Sequence, residues 1–348
     1  MSDFLLFVVV LGTLIFGHEL GHFLVAKWRG VKIEEFGIGF PPRLVKLFEA
    51  GGTEYTLNWI PFGGFVRPAG ENDPEVPDGL AASSKLTRTL VLIAGPAANI
   101  FLAFVAFLFA FKFAAPDIDR VLITDVVVGS PAQTSGIQPG DIVEEAGGFE
   151  VDGFQSLQSV IRDSLGEPLE MTVVRDGEPI EITLIPREEF PEGQGPIGAT
   201  LGYPPDDLGW FESAKQSLNS IGAQVMAIIQ LPGRIISGSA SEQEARVAGL
   251  KGIHDMIAWA SDIDQSAQRP FFTLNIFGVI SVGLAIANLL PIPALDGGRL
   301  LFVFIEAIIG RRISPRLEGL AHAIGFLLLL VLMVYFNLQD FIDPIELP

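Results

Sequence analysis

Residues 4–26 are apolar almost throughout, and as a helix rising about 1.5 Å per residue they would reach about 34 Å, enough to cross the hydrocarbon core of a bilayer. Yet the middle of this stretch reads His18-Glu19-Leu20-Gly21-His22. Ionisable side chains at that depth cost about 2.5–3.5 kcal/mol each on insertion scales. Something must offset that cost, and a bound metal ion does so directly. A cleaved signal peptide would carry basic residues ahead of the apolar run, whereas only Asp3 is charged there.

Three further apolar stretches follow at 89–115, 271–290 and 320–336. The second is interrupted by Gly95-Pro96-Ala97-Ala98-Asn99, which reads as a helix break. Basic residues cluster between the first and second stretches (Lys27, Arg29, Lys32, Arg43, Lys46, Lys85, Arg88) and between the third and fourth (Arg299, Arg311, Arg312, Arg316). The excess of Lys and Arg in short loops marks the cytoplasmic side. Both chain termini and the long segment between the second and third spans are therefore expected outside. The block 116–208 holds 19 Asp/Glu against 4 Lys/Arg, most of the chain's net charge of −19. Such acidity excludes general nucleic-acid binding. The expected fold class is a polytopic α-helical membrane protein with four transmembrane helices, a cytoplasmic β-hairpin or sheet insertion, and an inserted extracytoplasmic α+β domain.

That reading divides the chain into eight parts. They are a first span at 1–30, a β-rich membrane-dipping loop at 31–88, a second span at 89–115 and a module at 117–187. Then come an amphipathic helical region at 206–270, a third span at 271–299, a cytoplasmic loop and helix at 300–319, and a fourth span at 320–337. In the module, Val128–Gly148 places turn-forming Gly and Pro around short apolar strands, with two strands near 169–174 and 180–185 joined by a turn. This pattern resembles a PDZ domain of the bacterial protease-associated type. Such a domain implies a possible peptide tail bound by strand addition; a steric plug that binds no tail is the competing reading. In 206–270, Phe211, Ala214, Leu218, Ile221, Val225 and Ile228 recur at helical spacing beside polar neighbours, which predicts a helix on the outer membrane surface. A fifth span would spoil the charge asymmetry.

The chain has no cysteine, so any metal site must use His, Asp or Glu. In H-E-x-x-H on a helix, residues four apart share a face, so His18 and His22 can reach one zinc with Glu19 beside them as general base. Catalytic zinc takes three protein ligands and leaves one position for water. The third is expected from Asn288-Leu-Leu-Pro-Ile-Pro-Ala-Leu-Asp296-Gly-Gly-Arg299, where Asp296 follows an apolar run. Prolines and Gly297–Gly298 let the backbone turn that acid inward. Helix capping is the other role open to Asp296. Residues 54–66 alternate apolar and polar, then turn at Gly63 and Gly64. They read as a strand dipping toward the membrane whose edge could hold an unwound substrate, or as an ordinary hairpin. Asn99 is a further candidate for the same cavity, with small-residue packing as its alternative.

Taken together, H-E-x-x-H in the first span and N-x-x-P-x-P-x-L-D-G in a later one resemble the site-2 protease family of intramembrane zinc proteases. With one PDZ module between them, the chain resembles the bacterial regulator of sigma-E protease group. The likeness extends to "FGIGFPP", "PFGGFV" and "GPAANI", and so to nearly the whole chain. It implies one zinc per chain held by His18, His22 and Asp296, water activated by Glu19, and substrate contact at Asn288. It also implies a bacterial inner-membrane protein that cleaves single-span membrane proteins in or near the lipid bilayer, commonly after a first cut by another protease. Where the family often has "GP-x-G" before the third span, this chain reads Ala248-Gly-Leu-Lys-Gly-Ile253. A non-catalytic PDZ-bearing adaptor need not keep all four polar residues, and a transporter would favour internal repeats, of which none is evident.

Overall fold

The computed structural model describes residues 2–241, 243–345 and 347. In chain order the elements are α1 (Asp3–Trp28), β1 (Ile33–Ala50), β2 (Thr53–Pro68), α2 (Lys85–Phe113), β3 (Val121–Val126), α3 (Pro131–Ser135), β4 (Ile142–Ala146), β5 (Phe149–Glu150) and α4 (Phe154–Asp163). They continue as β6 (Leu169–Arg175), β7 (Glu178–Leu184), β8 (Ala199–Gly202), α5 (Trp210–Ile236), α6 (Leu250–Ala267), α7 (Phe271–Leu289), α8 (Asp296–Ile309) and α9 (Pro315–Ile342). They form two compact units, Met1–Ala110 with Trp210–Pro348, and Phe111–Gly209.

Among the described residues of the first unit and its continuation, four helices are long and apolar enough to cross a membrane: α1, α2, α7 and α9. They coincide with the four apolar stretches of the sequence, and the chain is a polytopic membrane protein. α1 is capped by Ser2, whose hydroxyl accepts from Leu5 N–H, and ends with Lys27 in its last turn, where a cation complements the helix dipole. Its Phe7, Val10, Leu11 and Leu14 pack with Ile257 of α6 and Ile280 of α7. The break expected at Gly95–Pro96 is absent, because α2 runs unbroken through Pro96. The lost hydrogen bond is tolerated where small residues let a neighbouring helix pack close; a Cβ on Gly21 of α1 would stand 2.3 Å from the Ala94 carbonyl oxygen.

β1 and β2 are longer than ordinary strands because each serves twice. Phe36 is paired with both Val66 and Tyr55, and Ile38 with both Gly64 and Leu57. Among the described residues the run Gly64–Pro68 is therefore paired with a strand on one side only, and β2 continues through Gly63 and Gly64 where the sequence suggested a turn. In the middle of this sheet Glu35 is buried but satisfied, by Arg43 and Arg67 at 2.7 Å each and by the Thr56 hydroxyl at 2.8 Å.

α5 has its polar side turned inward. Ser213 and Ser217 are buried and the Gln224 amide donates to the Val279 carbonyl of α7 at 2.7 Å, while Phe211, Leu218 and Ile229 are exposed. Near the start of α6, the Gly249 and Gly252 N–H groups donate to the buried Asp340 carboxylate of α9, which also pairs with Arg246. The departure from the family pattern at 248–253 thus forms a cap fastened to the last helix.

The second unit is an antiparallel sheet in the order β7-β6-β4-β3-β8, with β5 paired to β4, over a core that includes Val121, Ile123, Val143, Leu157 and Val173. The Gly/Pro-rich stretch has local reasons for its composition. Ser130 caps α3, Pro131 occupies its first turn, Gly136 ends it in a left-handed conformation, and Asp141 receives Arg175 through both oxygens at 2.7 and 2.8 Å. The expected boundary at Arg187 is too early: β8 pairs with β3, Leu122 against Gly202, and the sheet is complete only there. No periodic run marks β8 because it is four residues long.

Candidate metal centre

On α1, His18 and His22 stand one turn apart with ring centroids 4.7 Å from each other. α8 brings the third group. Asp296 is its first residue, and the preceding Leu295 makes no side-chain cap. The Asp296 carboxylate is spent instead on the rings, with Oδ2 3.1 Å from His18 Nε2 and 3.2 Å from His22 Nε2. The two Nε2 atoms are 3.1 Å apart. Three ligand atoms thus make a nearly equilateral triangle. Such spacing suits donors sharing one ion at roughly 2.0–2.2 Å, with a fourth tetrahedral direction left over. Two imidazoles and a carboxylate, with no thiolate, match zinc.

The groups behind the rings fit the same assignment. His22 Nδ1–H donates to the Val91 carbonyl at 2.7 Å, which leaves the Nε2 lone pair free to ligate. Behind His18 lies the buried Asn99 amide, its nitrogen 3.3 Å from His18 Nδ1, while Asn99 Oδ1 has no partner. Turning the amide over pairs that oxygen with His18 Nδ1–H, the tautomer an Nε2-ligated histidine needs. Asn99 is therefore placed behind the His18 ring and not in the cavity lining, because α2 packs its face directly on α1. The same face carries Gly95, one turn earlier. A Cβ there would stand 2.3 Å from His22 Nε2 and 2.6 Å from His18 Nε2. Only glycine leaves the rings their room. The i, i+4 spacing of Gly95 and Asn99 was the available signal, hidden by reading this stretch as a break.

Glu19 Oε2 accepts the Val66 N–H of β2 at 3.1 Å, which leaves Oε1 uncommitted in that bond. Glu19 and the triangle line one cavity of about 270 Å³ together with Phe65, Val66, Asn288 and Arg299. Asn288 is thus brought to the site, its amide nitrogen donating to Leu284 one turn back at 3.0 Å. Gly63 and Gly64 are not. A Cβ on Gly63 would meet Ile15 of α1 at 2.3 Å and one on Gly64 the Gly37 carbonyl at 2.7 Å. They serve the close approach of β2 to its neighbours; Phe65 and Val66, one and two residues on, face the cavity. Arg299 and its partner Glu71 were not foreseen. Arg299 lies one turn after Asp296 on α8, and that i, i+3 relation was legible.

The chain matches the sequence profile of peptidase family M50 over residues 6–332. It is 29% identical to zinc metalloprotease RasP of Geobacillus kaustophilus, with 98% of each chain covered. It is 30% identical to a putative zinc metalloprotease of Clostridium acetobutylicum over 99% of this chain and all of the relative. A putative zinc metalloprotease of Campylobacter jejuni is 32% identical, with 97% of this chain and 93% of that one covered.

Proposed function

The chain belongs to peptidase family M50, and on that premise we propose how its own residues carry out proteolysis within the membrane. The protein is a zinc-dependent intramembrane metalloprotease of the site-2 type in a bacterial inner membrane. His18, His22 and Asp296 hold the ion, and Glu19 is the general base. The observation that carries this reading is the triangle of three ligand atoms with sides of 3.1–3.2 Å, beside a carboxylate in the same cavity. Bound zinc supplies a Lewis acid that acidifies water and polarises a carbonyl. Glu19 takes the water's proton and passes it to the departing amine. The Val66 N–H fixes Glu19 in place for both transfers.

The substrate is a single-span membrane protein whose helix must unwind to offer a carbonyl. The strand edge at Phe65–Pro68, with Phe65, Val66 and Pro68 lining the cavity, supports a docking edge for the unwound segment. Asn288 is the side chain placed to contact that backbone. Phe111–Gly209 is a PDZ-like module outside the cell membrane, and α5 lies with its exposed apolar side in lipid. The loop counts of Lys and Arg support this orientation, with both termini outside and the β1–β2 sheet on the cytoplasmic side.

Two measurements test the reading. Purified protein should cleave a single-span substrate, lose that activity to a zinc chelator and regain it with added zinc; unchanged cleavage in chelator would overturn the metal's role. A cysteine at Ser156 should react with an impermeant thiol reagent in spheroplasts while one at Ser84 should not. The reverse pattern would invert the topology, and the native chain contributes no background thiol.

A further inference from the structure

Asp296 is presented by a loop with little means of holding itself. In Leu290–Leu295 the two prolines donate nothing, Ile292 N–H bonds back to Leu290 and Leu295 N–H to Ile292. Ala294 adopts a left-handed conformation at φ +81°. A side chain there carries strain that persists only when the surroundings impose it. The imposing group comes from the last helix: Ala294 N–H donates to His322 Nδ1 at 2.8 Å. Three residues on, α9 turns Gly325 to the same loop, and a Cβ there would stand 2.3 Å from the Pro293 carbonyl oxygen. The His322 ring also packs on Phe302 of α8, centroids 5.5 Å apart. One stripe of α9 thus grips the loop on one side of Asp296 and the helix on the other.

We propose that His322 is a positioning residue for the zinc site, fixing Ala294 so that Asp296 meets His18 and His22. The proposal rests on Asp296 being a ligand. His322 is one of four histidines in the chain, and its place in the fourth apolar helix has no other use in the chemistry. Its side chain is 13% exposed, so it is not a surface group. The bond it accepts requires an unprotonated Nδ1, and the adjoining cavity contains Ala294 as well as Asp296. A packing role alone would need the ring's volume; positioning needs the acceptor at Nδ1.

The test exploits that difference in detergent-purified full-length protein. Three variants are compared for zinc loss to a chelator and for kcat and KM on a single-span substrate. His322→Leu keeps the bulk and removes the acceptor; it should lose zinc faster and fall in kcat, by about 10–100-fold, with KM little changed. His322→Asn places an amide oxygen where Nδ1 stood and should stay within about threefold of the parent. His322→Gln, whose amide reaches the Nε2 position instead, should resemble His322→Leu. Should His322→Leu fail to fold, the Asn and Gln variants decide between them. Equal behaviour of those two, or parental zinc retention and kcat in a folded His322→Leu, overturns the proposal. Asp296→Ala measured alongside separates the premise: full zinc retention there removes the ligand itself, while zinc lost there and kept in His322→Leu refutes only the positioning role.

Discussion

Leu157 in the second unit and Leu328 in the fourth membrane helix are the same residue in opposite circumstances. The first is buried in the sheet module's core; the second is exposed along with Leu327, Val331 and most of α9. What the two units bury differs in the same way. The module hides Val, Ile, Leu and Met, and among its many acids it buries Asp141 against Arg175. The membrane unit leaves many aliphatic side chains exposed, and beside Leu14 and Val282 it buries Asn99, Ser281, Glu306 and Asp340. In water, burial of apolar surface drives folding. In lipid that drive vanishes between helices, so close packing and satisfied polar pairs must hold the interior together.

The sharpest way to break this contrast is to show that the membrane unit's buried polar groups are interchangeable. Glu19→Gln keeps size and hydrogen bonding but cannot take a proton. We expect a folded, zinc-loaded protein with cleavage reduced about 10²–10⁴-fold or more, read by metal content and a substrate assay. Near-normal cleavage by the zinc-loaded variant would remove Glu19 from the mechanism. Next in size is the pair Arg88–Glu306, 2.5 Å apart and buried between α2 and α8. Glu306→Leu strands Arg88 and should cost about 3–5 kcal/mol in a reversible detergent unfolding assay. The double variant Arg88→Met/Glu306→Leu should recover most of that. No recovery would mean the pair does more than neutralise itself.

A matched pair of truncations compares the two solvents. Leu157→Ala should destabilise the module by about 2–5 kcal/mol, whereas Leu328→Ala, facing lipid, should shift stability by under about 0.5 kcal/mol. Equal losses would place α9 against protein. A final effect concerns pH. Burial raises the Asp141 carboxyl, but Arg175 and the Gln138 N–H outweigh it and hold the group below the ordinary carboxylate range. A depressed folded value contributes stability above the unfolded pKa of about 3.9 and loses it as pH falls further. Asp141→Asn should therefore lower the module's stability by about 2 kcal/mol at neutral pH and flatten its acid sensitivity, measured by thermal melts from pH 7 to 3.

The contrast also explains what the sequence could disclose. Long apolar runs, the i, i+4 histidines and the module's turn signals are local, and each was legible without a structure. Asp296 was singled out because an acid after an apolar run needs a reason, and its carboxylate lies 3.1 Å from the His18 ring. The partners that are distant in the chain were not legible: Glu306 finds Arg88 across 218 residues and Asn99 finds His18 across 81. Gly95 looked like a breaker because its real constraint, the imidazoles facing it, lies on another helix. The double service of β1 and β2 was equally hidden. Period-2 alternation predicts a strand but not how many neighbours it has.

His18 and Asp296 are 278 residues apart along the chain. An ion shared between them, as proposed above, would close a ring that contains the β1–β2 sheet, the second span and the whole of Phe111–Gly209. Closure entropy grows only with the logarithm of ring length, and doubling the ring costs about 0.6 kcal/mol. Inserting another module of similar size between α2 and α5 would therefore change the cost of assembling the metal centre by well under about 1 kcal/mol. On the proposed assignment, what lies between α2 and α5 is free to vary in number and length, while the clasp that joins α1 to α8 stays the same.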